Sequence, residues 1–165
     1  MIAPHFAATL ARFQRAGLQF IVIGGVAGNL HGSARVTYDL DLVYARNREN
    51  IRRLAELLRP LSPYLRGAPP GLPFSFDEKT ICNGLNFTLT TALGDIDFLG
   101  EVTGGGTYDQ LLPFTDEFEA EDVICRCVQL DRLIQIKRAA GRPKDFEAIA
   151  ELQAILDERK RTGMT

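Results

Sequence analysis

Long apolar runs are missing from this sequence. Nowhere do its 165 residues contain the roughly 18 consecutive apolar side chains that a membrane helix requires, so a helical membrane span is excluded. Met1 to Arg15 shows no basic start leading into an apolar core, so no secretory leader is expected. Cysteine is scarce. Cys82, Cys125 and Cys127 are an odd number without metal-type spacing, which argues for free thiols, a reducing compartment and a cytoplasmic location. Cys125 and Cys127, two apart on a predicted strand, are expected in the core. Histidine is scarcer still. His5 lies near the terminus, and His31 has no second histidine close enough for a zinc motif, so His31 is expected to be structural. Net charge is small as well: 19 basic against 21 acidic residues leave -2, which excludes a generic polyanion binder.

What remains is the composition of an ordinary globular chain, 45% hydrophobic and 24% charged. The length fits one domain over residues 1–165 and allows roughly two-thirds of the unfolded surface to be buried. Charge is unevenly spread. Asp77 to Asp122 holds eleven acids against Lys79, Arg46 to Arg66 holds six arginines against Glu49 and Glu56, and Arg126 to Arg161 holds nine bases against six acids. An acidic middle between basic flanks suits the holding of cations and the attraction of phosphates, and equally suits ordinary solvated faces.

Hydrophobic spacing predicts helices over His5–Arg15, Val26–Gly32, Glu49–Leu58, Tyr108–Leu112, Leu130–Ala140 and Lys144–Lys160. Strands are predicted over Phe20–Ile23, Leu40–Tyr44, Leu85–Thr91, Ile96–Leu99 and Val123–Val128, with Leu93-Gly94-Asp95 as a hairpin turn. Arg59 to Pro73, with five prolines and two glycines, reads as a long loop, and Gly104-Gly105-Gly106 reads as a turn. This order gives an α+β (α/β-like) class: a mixed β-sheet with helices packed against it, a core over about residues 17–128 and a C-terminal helix pair over about residues 130–160.

The stretch with chemistry in it is Phe20 to Tyr44, FIVIGGVAGNLHGSARVTYDLDLVY. A buried strand ends in Gly24-Gly25 and enters a helix. Two glycines let a ligand approach the backbone, and a helix start offers unpaired N–H groups, which together make a phosphate cradle. The same turn also serves plain strand–helix packing. Thirteen residues, Val26 to Tyr38, then separate Gly25 from Asp39-Leu40-Asp41. In a strand both carboxylates face one side while Leu40 and Leu42 face the other. Adjacent like charges repel, and a divalent cation with a taste for hard oxygen, Mg²⁺ or Mn²⁺, relieves the repulsion. Two exposed aspartates at a strand edge are the alternative.

In combination, Gly24-Gly25 at a strand end and Asp39-Leu40-Asp41 on the next strand resemble the signature of the polymerase-β-type nucleotidyltransferase superfamily. Within it, Gly24 to Ala27, His31-Gly32, Arg35, Thr37 and Asp39 to Leu42 are similar to the minimal nucleotidyltransferases and the AbiEii-like toxin group. Leu133 to Glu151, LIQIKRAAGRPKDFEAIAE, resembles that group's closing motif, although Ala148 stands where the family often carries a further aspartate. The resemblance spans most of the chain and covers Arg59 to Pro73 poorly. It implies a nucleotidyltransferase core and a third metal-binding carboxylate on a neighbouring strand. Asp95 and Asp97 are the candidates: Asp95 falls in the predicted turn, whereas Asp97 sits inside a strand between Ile96 and Phe98, and Asp97 is preferred. Asp39, Asp41 and Asp97 are then the catalytic and metal-binding residues for two Mg²⁺ (or Mn²⁺) ions. Gly24, Gly25, Arg35, Lys137 and Lys144 bind the nucleotide. The implied reaction moves an NMP from an NTP such as ATP to an acceptor hydroxyl on an RNA 3′ end (tRNA included), a protein or a small molecule. The resemblance also admits a toxin with a cognate antitoxin as partner. A catalytically silent binding or regulatory module is the alternative.

Overall fold

Phe6, Leu10 and Phe13 recur at helical spacing along Pro4–Arg15 and form the buried face of the first helix, α1. The computed structural model describes residues 2–164; Met1 and Thr165, the ends of the expected 1–165 domain, lie outside the described residues. Phe20–Ile23 is buried at every position and forms β1. α2, Gly24–Leu30, starts on the glycine pair itself, two residues earlier than expected. Next come β2, Asp39–Tyr44, and α3, Arg48–Leu58, whose first turn is capped by the Asn47 side chain.

The Pro-rich stretch is more ordered than a plain loop. It contains a short helical turn at Arg59–Leu61 and an edge strand, β3, Tyr64–Leu65. α4, Glu78–Asn83, opens on an Asp77 cap. β4, Asn86–Thr91, and β5, Gly94–Leu99, form a hairpin with Thr91 opposite Gly94. The loop is therefore Ala92-Leu93, and Asp95 lies in the strand rather than in the turn. A small hairpin follows, β6, Glu101–Val102, and β7, Gly106–Thr107, then α5, Tyr108–Leu111. β8, Thr115–Ala120, was not expected; β9, Val123–Val128, was. The chain closes with α6, Leu130–Ala140, and α7, Pro143–Thr162.

Seven strands make one mixed sheet in the order β3-β4-β5-β2-β1-β9-β8. The β2–β5 and β1–β9 pairs are parallel, and the others are antiparallel. Leu40, Leu42, Ile96 and Phe98 are at most 1% exposed. Phe98 stacks on Phe76 and packs against Phe13 and Tyr44. This aromatic and aliphatic core fixes the heights of β2 and β5 beside each other. α6 packs along α7 and against α2, the helix that begins with the glycine pair. Among the described residues no helix is long and apolar enough to cross a membrane.

Candidate functional site

Parallel pairing of β2 with β5 sets Asp41 opposite Asp97 and Asp39 opposite Asp95. Alternation along each strand puts all four carboxylates on one face and the core side chains on the other. One oxygen from each of Asp39, Asp41 and Asp97 lies within 4.8 Å of the others. Of the two candidates for the third carboxylate, Asp97 is the one that joins this cluster. The donor set, three hard oxygens from three strand positions, fits Mg²⁺ or Mn²⁺. The electrostatics agree. Burial, followed by repulsion from Asp39 and Asp97, pushes the Asp41 carboxyl up to about 8 from its ordinary 3.8, and a cation among the three removes that repulsion.

Gly24 is what lets Asp41 sit there. Its φ is +68°, and a Cβ would fall 2.0 Å from Asp41 Oδ2, so a side chain would be both strained and in collision. A Cβ at Gly25 would fall 2.5 Å from Thr37 Oγ1. The space left by both missing side chains is thus filled first by the protein's own groups. Both glycines still line the cleft described below.

A cation that sequence spacing did not reveal stands beside the carboxylates. Arg66, just past β3, places Nη2 2.8 Å from Asp97 Oδ1, Nε 3.3 Å from Asp95 Oδ2 and Nη1 4.0 Å from Asp39 Oδ2. Its Nη2 also donates to the Leu89 carbonyl at 2.7 Å, while its buried Nε makes no hydrogen bond. An isolated arginine in a Pro-rich stretch has no spacing signature, which is why it escapes sequence reading.

Two clefts meet at the carboxylates. The first, about 330 Å³, is lined by Gly24, Gly25, Arg35, Lys137, Arg142 and Lys144 together with Asp39, Asp41 and Asp97. All the nucleotide-binding candidates therefore come together on one side. Lys137 is half-buried. Burial pushes its ammonium below the ordinary 10.5, against the pull of Asp145 and Asp41. Arg35 reaches Glu147 at 3.5 Å on the rim. Asp145, beside Lys144 in sequence, holds Arg142, with Nε to Oδ2 at 2.8 Å and Nη2 to Oδ1 at 3.2 Å. Burial alone would raise the Asp145 carboxyl, but the Arg142 bonds outweigh it and hold it below the ordinary carboxylate value. Arg142 was missed from sequence, as were Val36 and Tyr38, which line the same cleft with 76% and 84% exposure. The second cleft, about 360 Å³, runs from Asp41 and Asp97 between β6 and α6.

His31 and the strand cysteines lie outside both clefts. His31 is buried, with Nε2 2.7 Å from the Val128 carbonyl and Arg159 beside Nδ1, and burial lowers its pKa. Cys125 and Cys127 are buried, and Cys82 is exposed.

No family model matches the chain, and no curated protein matches it in sequence. Among solved structures the fold matches a protein of Thermotoga maritima described as a "putative nucleotidyltransferase", with a TM-score of 0.57 and 17% identity over 96% of this chain and 97% of that one. The chain has this nucleotidyltransferase fold. The match extends over the C-terminal helices that bring Lys137, Arg142 and Lys144 to the cleft. It carries the fold and not the AbiEii-like group.

Proposed function

We propose that the protein is a metal-dependent nucleotidyltransferase, moving a nucleoside monophosphate from an NTP to the hydroxyl of an acceptor. The supporting observation is the meeting of Asp39, Asp41 and Asp97 within 4.8 Å beside a cleft rich in cations. The three carboxylates would hold two Mg²⁺ or Mn²⁺ ions. Bound there, such ions offset the triphosphate charge and lower the pKa of the acceptor hydroxyl. The chain's own groups do the remaining work. Lys137, Arg142, Lys144 and Arg35 meet the triphosphate and the developing charge on pyrophosphate. Gly24 and Gly25 make room on the cleft wall for the side chains of Asp41 and Thr37. Val36 and Tyr38 offer exposed apolar surface to the base. Asp97 lines both clefts, where it can take the hydroxyl proton as the oxygen attacks the α-phosphorus.

An RNA 3′ end, a protein or a small molecule would each supply a suitable hydroxyl, and a toxin neutralised by an antitoxin is one setting for the first two. A catalytically silent binding module is the second reading. It is favoured by Arg66, which already gives Asp95 and Asp97 a cation. Incubation with each α-labelled NTP, total RNA, cell protein and a set of hydroxyl compounds separates the two. Metal-dependent transfer of label, abolished in Asp41→Asn, is the expected result. Nucleotide binding without transfer to any acceptor supports the silent module.

A further inference from the structure

Between α2 and β2 the chain runs through residues 33–38 without regular secondary structure. Among the described residues, no backbone-to-backbone hydrogen bond holds residues 34–37. Side chains from two helices hold this segment instead. From α2, Asn29 Nδ2 donates to the Ser33 carbonyl at 3.1 Å and to the Arg35 carbonyl at 2.8 Å. From α7, the Glu151 carboxylate accepts from Ser33 Oγ and, at 3.1 Å, from Ala34 N. Ser33 Oγ in turn accepts from Arg35 N at 3.2 Å. Glu147, one turn before Glu151, meets the Arg35 guanidinium at 3.5 Å. A backbone without a ladder takes the path that its side-chain partners set, and here Asn29 and Glu151 set it.

The segment so held carries Val36 and Tyr38, both largely exposed and both lining the first cleft. Their exposure adds nothing to the core, because burial is what stabilises apolar surface. Beside a triphosphate site the same surface can cover the face of a base. α7 serves the cleft at two levels. Its first turn brings Lys144, with Arg142 just before it. About two turns later Glu151 leaves the helix for the segment. One rigid helix thus sets the spacing between the phosphate-binding cations and the apolar platform. A platform ordered before binding spares the nucleotide that ordering cost.

We infer that Glu151 is a nucleotide-positioning residue: by holding Ser33 and Ala34 it fixes the segment on whose Val36 and Tyr38 the nucleoside end of the NTP rests. The inference rests on the nucleotidyltransferase reading. Glu151 touches no reacting atom and acts only through the segment. Lys137, Arg142 and Lys144 take the triphosphate from outside it, and Arg35 is the one proposed triphosphate cation that rides on it.

The test is calorimetry with Mg²⁺ of each NTP and of inorganic tripolyphosphate, which has the phosphates and no nucleoside. Metal-free melts run in parallel. Wild type should bind at least one NTP about tenfold or more tighter than tripolyphosphate, within the range of a base–aromatic stack. Glu151→Ala should weaken that NTP about fivefold or more and tripolyphosphate by no more than about twofold. Tyr38→Ala should give the same selective loss with unchanged stability. The double variant should lose no more than the larger single loss, because both changes act through one platform. Glu151→Gln, which keeps an oxygen for Ala34 N and an amide for Ser33 Oγ, should retain most of the affinity. Should Glu151→Ala fail to fold, Ser33→Ala decides by the same ratio of NTP to tripolyphosphate affinity. Equal weakening of both ligands, an unmoved NTP affinity, or full additivity with Tyr38→Ala overturns the inference. Wild-type binding of tripolyphosphate as tight as that of every NTP overturns it too and leaves the triphosphate site standing. Binding of neither ligand to wild type instead sinks the nucleotidyltransferase reading on which it rests.

Discussion

The anions and the cations of the site are held by different parts of the molecule. Asp39, Asp41 and Asp97 ride on β2 and β5, in the interior of the seven-stranded sheet, and the opposite face of those strands is sealed in the core. The cations come from the periphery: Arg66 from beside an edge strand, Lys137, Arg142 and Lys144 from the α6–α7 junction, and Arg35 from the segment leading into β2. The carboxylates cannot separate without breaking the sheet, whereas the cations can adjust. Repulsion is therefore built into the rigid part, and its relief is delivered by parts that can move or by ions.

The largest effect should come from softening the rigid side. Asp41→Asn is expected to lower transfer activity by at least about a thousandfold, the several kcal/mol that a metal site supplies to the transition state. The same change should stabilise the metal-free protein by roughly 1–3 kcal/mol. Folding raises the Asp41 pKa from 3.8 to about 8. The folded state therefore keeps a proton that the unfolded chain loses. The stability contributed by this group is complete below about pH 4 and is lost as pH rises through 8. Denaturant melts of metal-free wild type between pH 5 and 9 should show that decline, and Asp41→Asn should flatten it. A wild-type profile identical to that of the variant would remove the built-in repulsion from the account.

Gly24→Ala attacks the same side through the backbone. Its methyl group would meet Asp41 Oδ2 at 2.0 Å in a left-handed conformation, so a stability loss of about 1–3 kcal/mol is expected. The Mg²⁺-induced rise in melting temperature should fall with it. Gly25→Val should also lose stability, because its side chain meets Thr37. A simple block of phosphate approach, with folding untouched, would require open space over Gly25 that the structure does not have. Thermal melts with and without Mg²⁺ distinguish the two.

The rigid side was also the legible side. β1 and β9 match their expected bounds, and β2 extends by one residue to include Asp39, because continuous apolar runs with a period-two carboxylate pattern have few other readings. The peripheral side was legible only in part: α6 keeps its expected bounds and Arg35, Lys137 and Lys144 reach the cleft, but the edge elements and Arg66 were not foreseen. β8, TDEFEA, presents acids at Asp116, Glu117 and Glu119 on an edge strand, where charge discourages further pairing, and such a strand looks like a solvated loop. α4 is six residues long, too short to show a helical period. Arg66 depends wholly on β3 pairing with β4, a long-range event that local sequence does not encode. The pairing of Asp145 with Arg142 was not readable either, because the choice between adjacent cations is made by side-chain geometry.

Arg66→Ala should sharpen the contrast between fixed anions and adjustable cations. Losing a partly buried counter-charge on Asp97 and Asp95 should destabilise the metal-free protein by roughly 1 kcal/mol, with solvent screening keeping the figure small. The stabilisation gained from Mn²⁺ should grow, because an ion then supplies charge that the guanidinium supplied before. Melts of both proteins over a Mn²⁺ titration give both quantities. Unchanged metal-free stability together with an unchanged Mn²⁺ response would place Arg66 outside the working site.

The smallest effect is expected at Lys144, the most weakly tied of the cations lining the first cleft. It is the second residue of α7, where the helix dipole disfavours a cation by ~0.3–1 kcal/mol. Asp145 does not offset this, since it is taken by Arg142, and Lys144 has no ion pair among the described residues. The lysine is exposed and lines the cationic cleft, so a triphosphate is the partner its position suits. Lys144→Ala should therefore leave the free protein as stable as wild type or slightly more so, while weakening NTP binding about three- to tenfold, near 1 kcal/mol. Lys137→Ala differs in kind. That ammonium is half-buried between Asp145 and Asp41, so its loss should cost folding stability as well as NTP affinity. Calorimetric NTP titrations and metal-free melts of both variants make the pair. Normal NTP binding with reduced stability in Lys144→Ala would make that lysine part of the scaffold, and the division between fixed anions and adjustable cations would then stop at Arg142.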